Sequence, residues 1–342
     1  MARRRSSATP DLFEAVSQDK SEKSGRPAQA TLSAYVEKNG ERLRQWASRG
    51  IYFGSSSWKY PGWKGQVYTR SYTSKKAFDQ ECLAEYAQLF PTVCADFALY
   101  DFPSAEQMRS MAEQTPEGFT VSLKVTDRIT VRRYPRLPRH GAMAGKENPD
   151  FLNLDLFQEA FLDPVRELGS RRGVIIFEFS TFYPSSGISY ERFVALLDEF
   201  LGRLPEGFDY AVELRNREFL TADYLRMLAS HGVAHLLNNW TRMPPILEQI
   251  AIEGVLTASF AVARALLRPG RSYQDAVDAF QPYDRIREEN PELRQGLHDA
   301  VRRCLEEGKP LYAYVNNRAE GNSPKTIEAI LDALDSYPSK TL

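Results

Sequence analysis

Eight short apolar runs, each followed by a helical stretch or by a loop that leads into one, constrain the fold of this 342-residue chain. This number of β-then-α units predicts an α/β fold with eight parallel strands, the (β/α)8 or TIM barrel. Barrels of this kind carry their chemistry at the C-terminal ends of the strands. The predicted strands are Ile51–Ser55, Val93–Phe97, Phe119–Val125, Gly173–Phe179, Tyr210–Leu214, Val233–Leu237, Leu256–Ala261 and Leu311–Val315.

The barrel is predicted as a single domain over residues 51–338, with a helical extension over residues 29–50. Residues 1–28 contain few large apolar side chains and many Ser, Lys, Asp, Glu, Pro and Ala, which predicts a disordered tail. The helix is predicted from apolar residues at helical spacing, namely Leu32, Tyr35, Val36, Leu43 and Trp46.

Charge and cysteine content limit the classes of function. The formal net charge is −1, so any affinity for nucleic acid has to come from a local patch. The three cysteines have no paired spacing, which predicts neither a zinc site nor a disulfide framework. Because the sequence has no apolar stretch of membrane-spanning length and no signal-peptide core, we expect a cytoplasmic protein without membrane contact.

Charged residues interrupt three neighbouring strands near their C-terminal ends. Lys124, Glu178 and Glu213 lie in otherwise apolar runs, and Arg215 follows the third run. Because an isolated buried charge costs several kcal/mol, these groups must be paired or lie at the wet rim. Two interpretations stay open. One is a salt-bridge cluster that fills the barrel, and the other is an acid/base site in which Arg215 binds an anionic substrate.

The end of the eighth strand predicts a second site. Asn316 and Asn317 precede a helix that is expected to begin with Ser323 as N-cap and Pro324 at the first position. Free N–H groups at such a helix start favour phosphate, and the arginines at 264, 268 and 271, expected after strand seven, would add positive charge. The alternative is an ordinary capped helix beside a solvated basic loop.

The long loop of residues 127–151 is expected to lie over the mouth of the barrel. A run of basic residues can follow a nucleic-acid backbone, which makes this loop a candidate contact for a nucleic-acid partner. The alternative is a solvated lid. The arginines concerned are Arg128, Arg132, Arg133, Arg136 and Arg139.

Aromatic residues follow the first strand, and among them Trp58 is a candidate to stack on a base or sugar ring. Metal and cofactor motifs are not recognisable. The four histidines form no metal-binding spacing, and no phosphate-binding glycine motif occurs. We therefore expect no identifiable cofactor, although a carboxylate-bound Mg²⁺ stays an open alternative.

Five segments recur in a characteristic order along the chain: Gly54–Trp63 with Tyr68, Tyr100 with Pro103-Ser104, Thr115–Phe119 followed by Lys124 and Ile129-Thr130, Glu213-Leu214-Arg215 with Phe219, and Asn316-Asn317 with Gly321 and Ser323-Pro324. Taken together, they resemble the DUF72, or YecE-like, family. The resemblance implies a TIM barrel and no established reaction. It also implies that the recurring family residues matched in this chain lie at the barrel mouth: Trp58, Lys124, Glu213, Arg215, Asn316 and Asn317.

The chain also departs from the family pattern at four strands. Asp96 and Glu178 stand where the family has other polar residues, and Asn238-Asn239 replaces an aspartate after strand six. A histidine-containing segment expected near strand seven is absent, with Ser259–Arg271 in its place. Activities that depend on the missing groups are therefore not carried over to this chain.

These observations lead to one hypothesis about function with two alternatives. The protein is expected to bind a small anionic ligand, phosphorylated or derived from nucleic acid, at the barrel mouth, as a hydrolase or lyase that uses Lys124, Glu178 and Glu213 for acid/base chemistry. The alternatives are a non-catalytic nucleic-acid-binding protein and a metal-assisted, nuclease-like hydrolase. The expected ligand-binding residues are Trp58, Tyr100, Arg215, Asn239, Asn316, Asn317 and Ser323.

Overall fold

Eight parallel strands form a closed barrel in this protein, for which a computed structural model describes residues 32–336. Each strand pairs with the next strand in sequence, and the eighth pairs with the first. The predicted (β/α)8 TIM barrel is therefore confirmed. The predicted tail over residues 1–28 lies outside the described residues.

Seven of the eight strands lie close to their predicted positions. The seventh prediction, Leu256–Ala261, is wrong, because the strand begins where the prediction ends. Thr257 instead belongs to a connection that contacts the start of the sixth strand. Its hydroxyl accepts from His235 N and donates to Val233 O. The strands are β1 (Ile51–Ser55), β2 (Thr92–Ala95), β3 (Thr120–Lys124), β4 (Arg172–Glu178), β5 (Tyr210–Glu213), β6 (Ala234–Asn238), β7 (Ala261–Ala265) and β8 (Leu311–Val315).

The helices lie around the barrel and between its strands. None of those within residues 32–336 is long and apolar enough to cross a membrane. The α-helices of the described residues are α1 (Ala34–Ser48), α2 (Lys75–Leu89), α3 (Ala105–Gln114), α4 (Asp127–Thr130), α5 (Leu154–Leu156), α6 (Asp163–Val165), α7 (Tyr190–Leu201), α8 (Ala222–Ser230), α9 (Ile246–Ile250), α10 (Tyr273–Phe280), α11 (Pro291–Glu306) and α12 (Ser323–Asp335).

The helical stretch between β3 and β4 is irregular. A π-helix over Phe157–Leu162 separates α5 from α6, and a 3-10 stretch over Arg166–Arg171 follows. Pro164 has no N–H to donate to the preceding turn, so a regular ladder of hydrogen bonds cannot pass through it. Gly169, with φ of 57°, introduces a kink within this stretch before β4.

The helix α1 packs along the last helix, α12. Lys38 forms an ion pair with Glu328 at 2.8 Å, and Arg42 pairs with both Asp332 and Asp335 at 2.8 Å. These contacts place α1 on the outside of the barrel, between the first and last β/α units. They leave the C-terminal mouth open.

Close packing between β1 and β2 generates a prediction about stability. A Cβ added to Gly54 would lie 2.1 Å from Thr92 O, so Gly54→Ala must push two paired strands apart. We expect this substitution to lower the free energy of unfolding by about 2 kcal/mol or more, because overpacking strains a barrel core. Urea denaturation followed by circular dichroism measures the change.

Gly40→Ala is the matched control. Gly40 lies inside α1, and the atom nearest to an added Cβ is the flexible end of Arg44 at 3.4 Å. Alanine has the higher helix propensity, so we expect no loss of stability and a gain of up to about 1 kcal/mol. Equal effects of the two substitutions would contradict the packing described for β1.

Candidate functional site

Six ionisable side chains meet at the C-terminal end of the barrel interior. They form its uppermost layer, directly above apolar residues that fill the interior below. We call this group the charged layer, and its members are Asp96, Lys124, Glu178, Glu213, Arg215 and Arg264.

Strand alternation explains why these residues share one layer. Side chains two positions apart on a strand point to the same face. Cys94, Ile176, Ala211 and Val262 belong to the apolar cluster of the barrel interior. On the same β-segments, a member of the charged layer follows each of these residues by two positions. These members are Asp96, Glu178, Glu213 and Arg264, in the same order.

Glu178 lies at the centre of the charged layer. Its Oε2 atom accepts from Lys124 Nζ at 3.2 Å and lies 3.0 Å from both Arg215 Nη2 and Arg264 Nη1. Burial by itself raises the pKa of Glu178, but the charges of Arg215, Lys124 and Arg264 outweigh it and hold this pKa well below 4.5. Glu178 is therefore ionised at neutral pH.

Glu213 is the most deeply buried acid of the layer, with none of its surface exposed. Arg215 Nη2 lies 2.5 Å from its Oε1 atom, and Arg264 Nη1 donates to its Oε2 atom. Removing such a carboxylate from water costs several kcal/mol unless cations surround it. The two guanidinium groups supply that compensation.

Asp96 and Lys124 complete the balance of charge. Lys124 Nζ lies 3.2 Å from Asp96 Oδ1, and Arg264 Nη2 donates to the same oxygen at 3.4 Å. Burial lowers the pKa of Lys124, but Asp96 and Glu178 outweigh it and raise this pKa above its ordinary value. Three acids thus face three cations, and the layer as a whole is neutral.

Arg264 is the member of the site that sequence reasoning misplaced. It was expected in a loop after strand seven, as one of three arginines available to an anion. It lies within β7, is 2% exposed and binds acids of the charged layer. The alternation of Val262 and Arg264 in the run Ala261–Ala265 is the signal that identifies it, once the strand is placed correctly.

A cavity of about 710 Å³ opens above one side of the charged layer. Glu178 and Arg215 line it from the barrel, Tyr183 and Trp240 from two loops, and residues 133–137 from the long loop. The guanidinium carbon of Arg215 lies 4.1 Å from the centre of the Trp240 ring. Two nitrogens of Arg215, Nε and Nη1, are buried and have no hydrogen-bond acceptor among the described residues.

The long loop is largely neutralised by acids at its own two ends. Four of its five arginines form ion pairs there, and only Arg136 has no acid partner among the described residues. Arg136 is exposed and lines the cavity. The pairs are Arg128 with Asp150 at 2.8 Å, Arg132 and Arg133 with Glu147 at 3.4 and 3.2 Å, and Arg139 with Asp127 at 3.2 Å.

The start of α12, the helix after β8, differs from the prediction. Asn322, not Ser323, is the N-cap of α12, and its side chain accepts from Lys325 N. Asn317 Oδ1 accepts from both the N–H and the hydroxyl of Ser323 at 2.7 Å. The N–H groups expected to bind phosphate therefore already have protein acceptors, and Ser323 is buried.

The other two predicted asparagines also make internal contacts. Asn239 joins the ends of two loops, accepting from Leu266 N and donating to Leu267 O. Asn316 accepts from Arg318 N, while its Nδ2 has no acceptor among the described residues. Their ligand contacts stay predictions, because the structure places neither of them in the cavity wall.

Trp58 and Tyr100 lie away from the cavity. Trp58 is 5% exposed and lines a separate groove of about 490 Å³ between α2 and α3. Tyr100 is 61% exposed and lies beneath the guanidinium of Arg139, at 5.0 Å. Neither residue contributes to the cavity above Glu178 and Arg215.

Metal ligation was left open by the sequence. Within residues 32–336, no group of three or more His, Cys, Asp or Glu side chains is arranged to hold a metal ion. The carboxylates of the charged layer are engaged by lysine and arginine instead.

The chain belongs to the DUF72 family. The sequence profile of this family, described as "Protein of unknown function DUF72", matches residues 52–341. This assignment confirms the resemblance seen in the motifs. No protein of curated function has a sequence that matches this chain significantly.

Solved structures of other DUF72 family proteins share the fold. One from Thermotoga maritima is 18% identical, with a TM-score of 0.55, over 84% of this chain and 99% of its own. Another, from Enterococcus faecalis, is 17% identical, with a TM-score of 0.56, over 84% of this chain and 97% of its own. At these identities the likeness extends to the barrel fold and not to the ligand.

The lowered pKa of Glu178 predicts how acid affects stability. A carboxylate with a lowered pKa stabilises the folded state above its unfolded pKa, and this contribution is lost as the pH falls toward the folded pKa. We expect Glu178→Gln to cost about 3 kcal/mol at pH 7, because it leaves buried cations uncompensated. As the pH falls below 4.5, the free energy of unfolding should decrease less for the variant than for the wild type.

Urea unfolding at a series of pH values measures both effects. The control is Glu41→Gln, which changes an exposed carboxylate in α1 that contacts Arg44 and Gln45 of the same helix. It should leave the stability at pH 7 nearly unchanged. A Glu178→Gln curve parallel to that of the wild type through the acid range would contradict the lowered pKa.

Proposed function

We propose that this protein binds a small anionic ligand of the phosphate-ester class in the cavity at the barrel mouth. The observation that carries the proposal is Arg215, a buried arginine in the cavity wall with two nitrogens that have no acceptor within residues 32–336. A buried donor without a partner costs about 1–3 kcal/mol. Because Nε and Nη1 are themselves buried, only a ligand oxygen that penetrates beyond the cavity surface to these atoms would remove this cost.

Charge and size of the cavity support the same ligand. Arg136 lies in the wall without an acid partner among the described residues, and Arg133 Nε is a further buried nitrogen without an acceptor. Planar guanidinium groups match the oxygens of a phosphate. The cavity volume of about 710 Å³ is in the range of small-molecule sites.

The proposal gives Lys124, Glu178 and Glu213 a smaller role in proton transfer than the sequence-based hypothesis does. Glu178 is held in its ionised form, which makes it a poor proton donor at neutral pH and a weak proton acceptor. Lys124 is held protonated by Asp96 and Glu178. In this proposal Lys124, Glu178 and Glu213 position Arg215, and a proton transfer by any of them requires the ligand to displace one of the internal partners.

The alternatives are less well supported by the geometry. For a nucleic-acid-binding protein that uses the five loop arginines, four of them already pair with acids of the same loop. A metal-assisted hydrolase needs carboxylates available to a cation, and those of the charged layer already bind cationic side chains. Both stay predictions, as does the cytoplasmic location.

Arg136 provides the test, because it is exposed and can be replaced without disturbing the core. Isothermal titration with inorganic phosphate and with thymidine monophosphate should detect binding to the wild type. We expect Arg136→Gln to weaken binding about tenfold, the loss of about 1.4 kcal/mol expected when a charged hydrogen bond is removed.

The matched control is Arg132→Gln, which removes an arginine from the same loop. Arg132 pairs with Glu147 and does not line the cavity, so its replacement should change the dissociation constant by less than about twofold. The proposal fails when neither phosphate compound binds, or when the two variants weaken binding equally.

A further inference from the structure

Exposed apolar side chains are concentrated on one face of the barrel. Of the six large apolar side chains that are exposed within residues 32–336, five belong to segments that follow the C-terminal ends of strands. Only Leu32, before α1, lies elsewhere. We call the face that carries the five residues the mouth face, and they are Tyr100, Leu137, Met143, Tyr183 and Tyr273.

Every exposed tyrosine of this group lies beneath an arginine. The guanidinium carbon of Arg139 is 5.0 Å from the ring centre of Tyr100, and that of Arg242 is 5.0 Å from Tyr183. Arg318 lies 4.4 Å from the ring centre of Tyr273. An arginine over a ring holds the aromatic side chain in a fixed orientation and adds a positive charge beside it.

These pairs come from loops that are distant in sequence. Tyr100 follows β2, Tyr183 follows β4 and Tyr273 follows β7, so the three rings lie on different sides of the barrel mouth. Tyr183 also lines the cavity described above. The cavity for an anion therefore lies within a rim of exposed rings.

The rim also carries positive charge that is not neutralised internally. Arg136, Arg242 and Arg318 have no acid partner among the described residues, whereas most other arginines of the loops are paired. Exposed aromatic rings next to unpaired arginines are the two components that bind a single-stranded nucleic acid, in which rings stack on bases and cations contact phosphates. A duplex would not offer its bases to these rings.

We propose that the mouth face binds single-stranded nucleic acid, with bases stacked on Tyr183 and Tyr273 and one phosphate group in the cavity. This inference rests on the proposed function, because the phosphate in the cavity is the anion assigned there. It differs from the interpretation based on the long loop, because it depends on aromatic rings of three other loops and on Arg242 and Arg318.

Fluorescence anisotropy with the full chain tests this inference. The probe is a fluorescein-labelled oligonucleotide of about 15 thymidines, which covers a typical single-strand site. We expect it to bind at least about tenfold more tightly than thymidine monophosphate. Tyr183→Ala and Tyr273→Ala should each weaken oligonucleotide binding about fivefold or more, because each removes one stacking surface.

Conservative and remote variants supply the controls. Tyr183→Phe and Tyr273→Phe keep the ring and should bind the oligonucleotide as the wild type does. Leu32→Ala removes an exposed apolar side chain away from the mouth face and should have no effect. Tyr273→Ala should leave thymidine monophosphate binding unchanged, because Tyr273 does not line the cavity.

Several outcomes would overturn the inference, and they differ from failure of the proposed function. The inference fails if inorganic polyphosphate competes as well as the unlabelled oligonucleotide and the alanine variants bind the probe as the wild type does. Binding would then depend on charge alone. Monophosphate binding that depends on Arg136 without tighter oligonucleotide binding would also overturn the inference and leave the cavity proposal intact. Ring-dependent oligonucleotide binding without any monophosphate binding would instead overturn the cavity proposal.

Discussion

The structure depends on the mutual neutralisation of charges in the uppermost layer of the barrel interior. Glu213 is completely buried and Arg264 nearly so, and neither could remain charged there alone. Each is compensated by the other, and the remaining members extend the network across five β-segments of the barrel. The apolar layers below exclude water from the interior, which strengthens these interactions and makes any missing partner costly.

This layer determines what the mouth can do. Because three cations surround Glu178, its charge is fixed and its pKa is lowered, which makes it suited to holding Arg215 rather than to moving protons. Arg215 in turn lies between two carboxylates and the ring of Trp240, yet two of its nitrogens have no acceptor in the part of the chain that the structure describes. The result is a rigid, positively charged group at the wall of a cavity.

The sequence was sufficient for the fold and for most of the charged layer. Strand periodicity gave eight strands, and charges at the ends of strands three to five led to Lys124, Glu178, Glu213 and Arg215. It was not sufficient for Arg264, because Leu256–Phe260 and Ala261–Ala265 both consist mainly of apolar and small residues, and the arginine in the second run is more typical of a loop. Internal pairing of the long loop was also not predictable, because Asp127, Glu147 and Asp150 lie at its ends and only folding brings them to the arginines.

The central claim is that the mouth of this DUF72 barrel is an anion site built on a neutral charged layer. A crystal structure of the protein with inorganic phosphate tests it most directly. The account predicts phosphate oxygens within hydrogen-bonding distance of Arg215 and Arg136, with the ion pairs of Glu178 and Glu213 preserved. An empty cavity at a phosphate concentration that saturates binding in solution, or phosphate bound elsewhere, would contradict it.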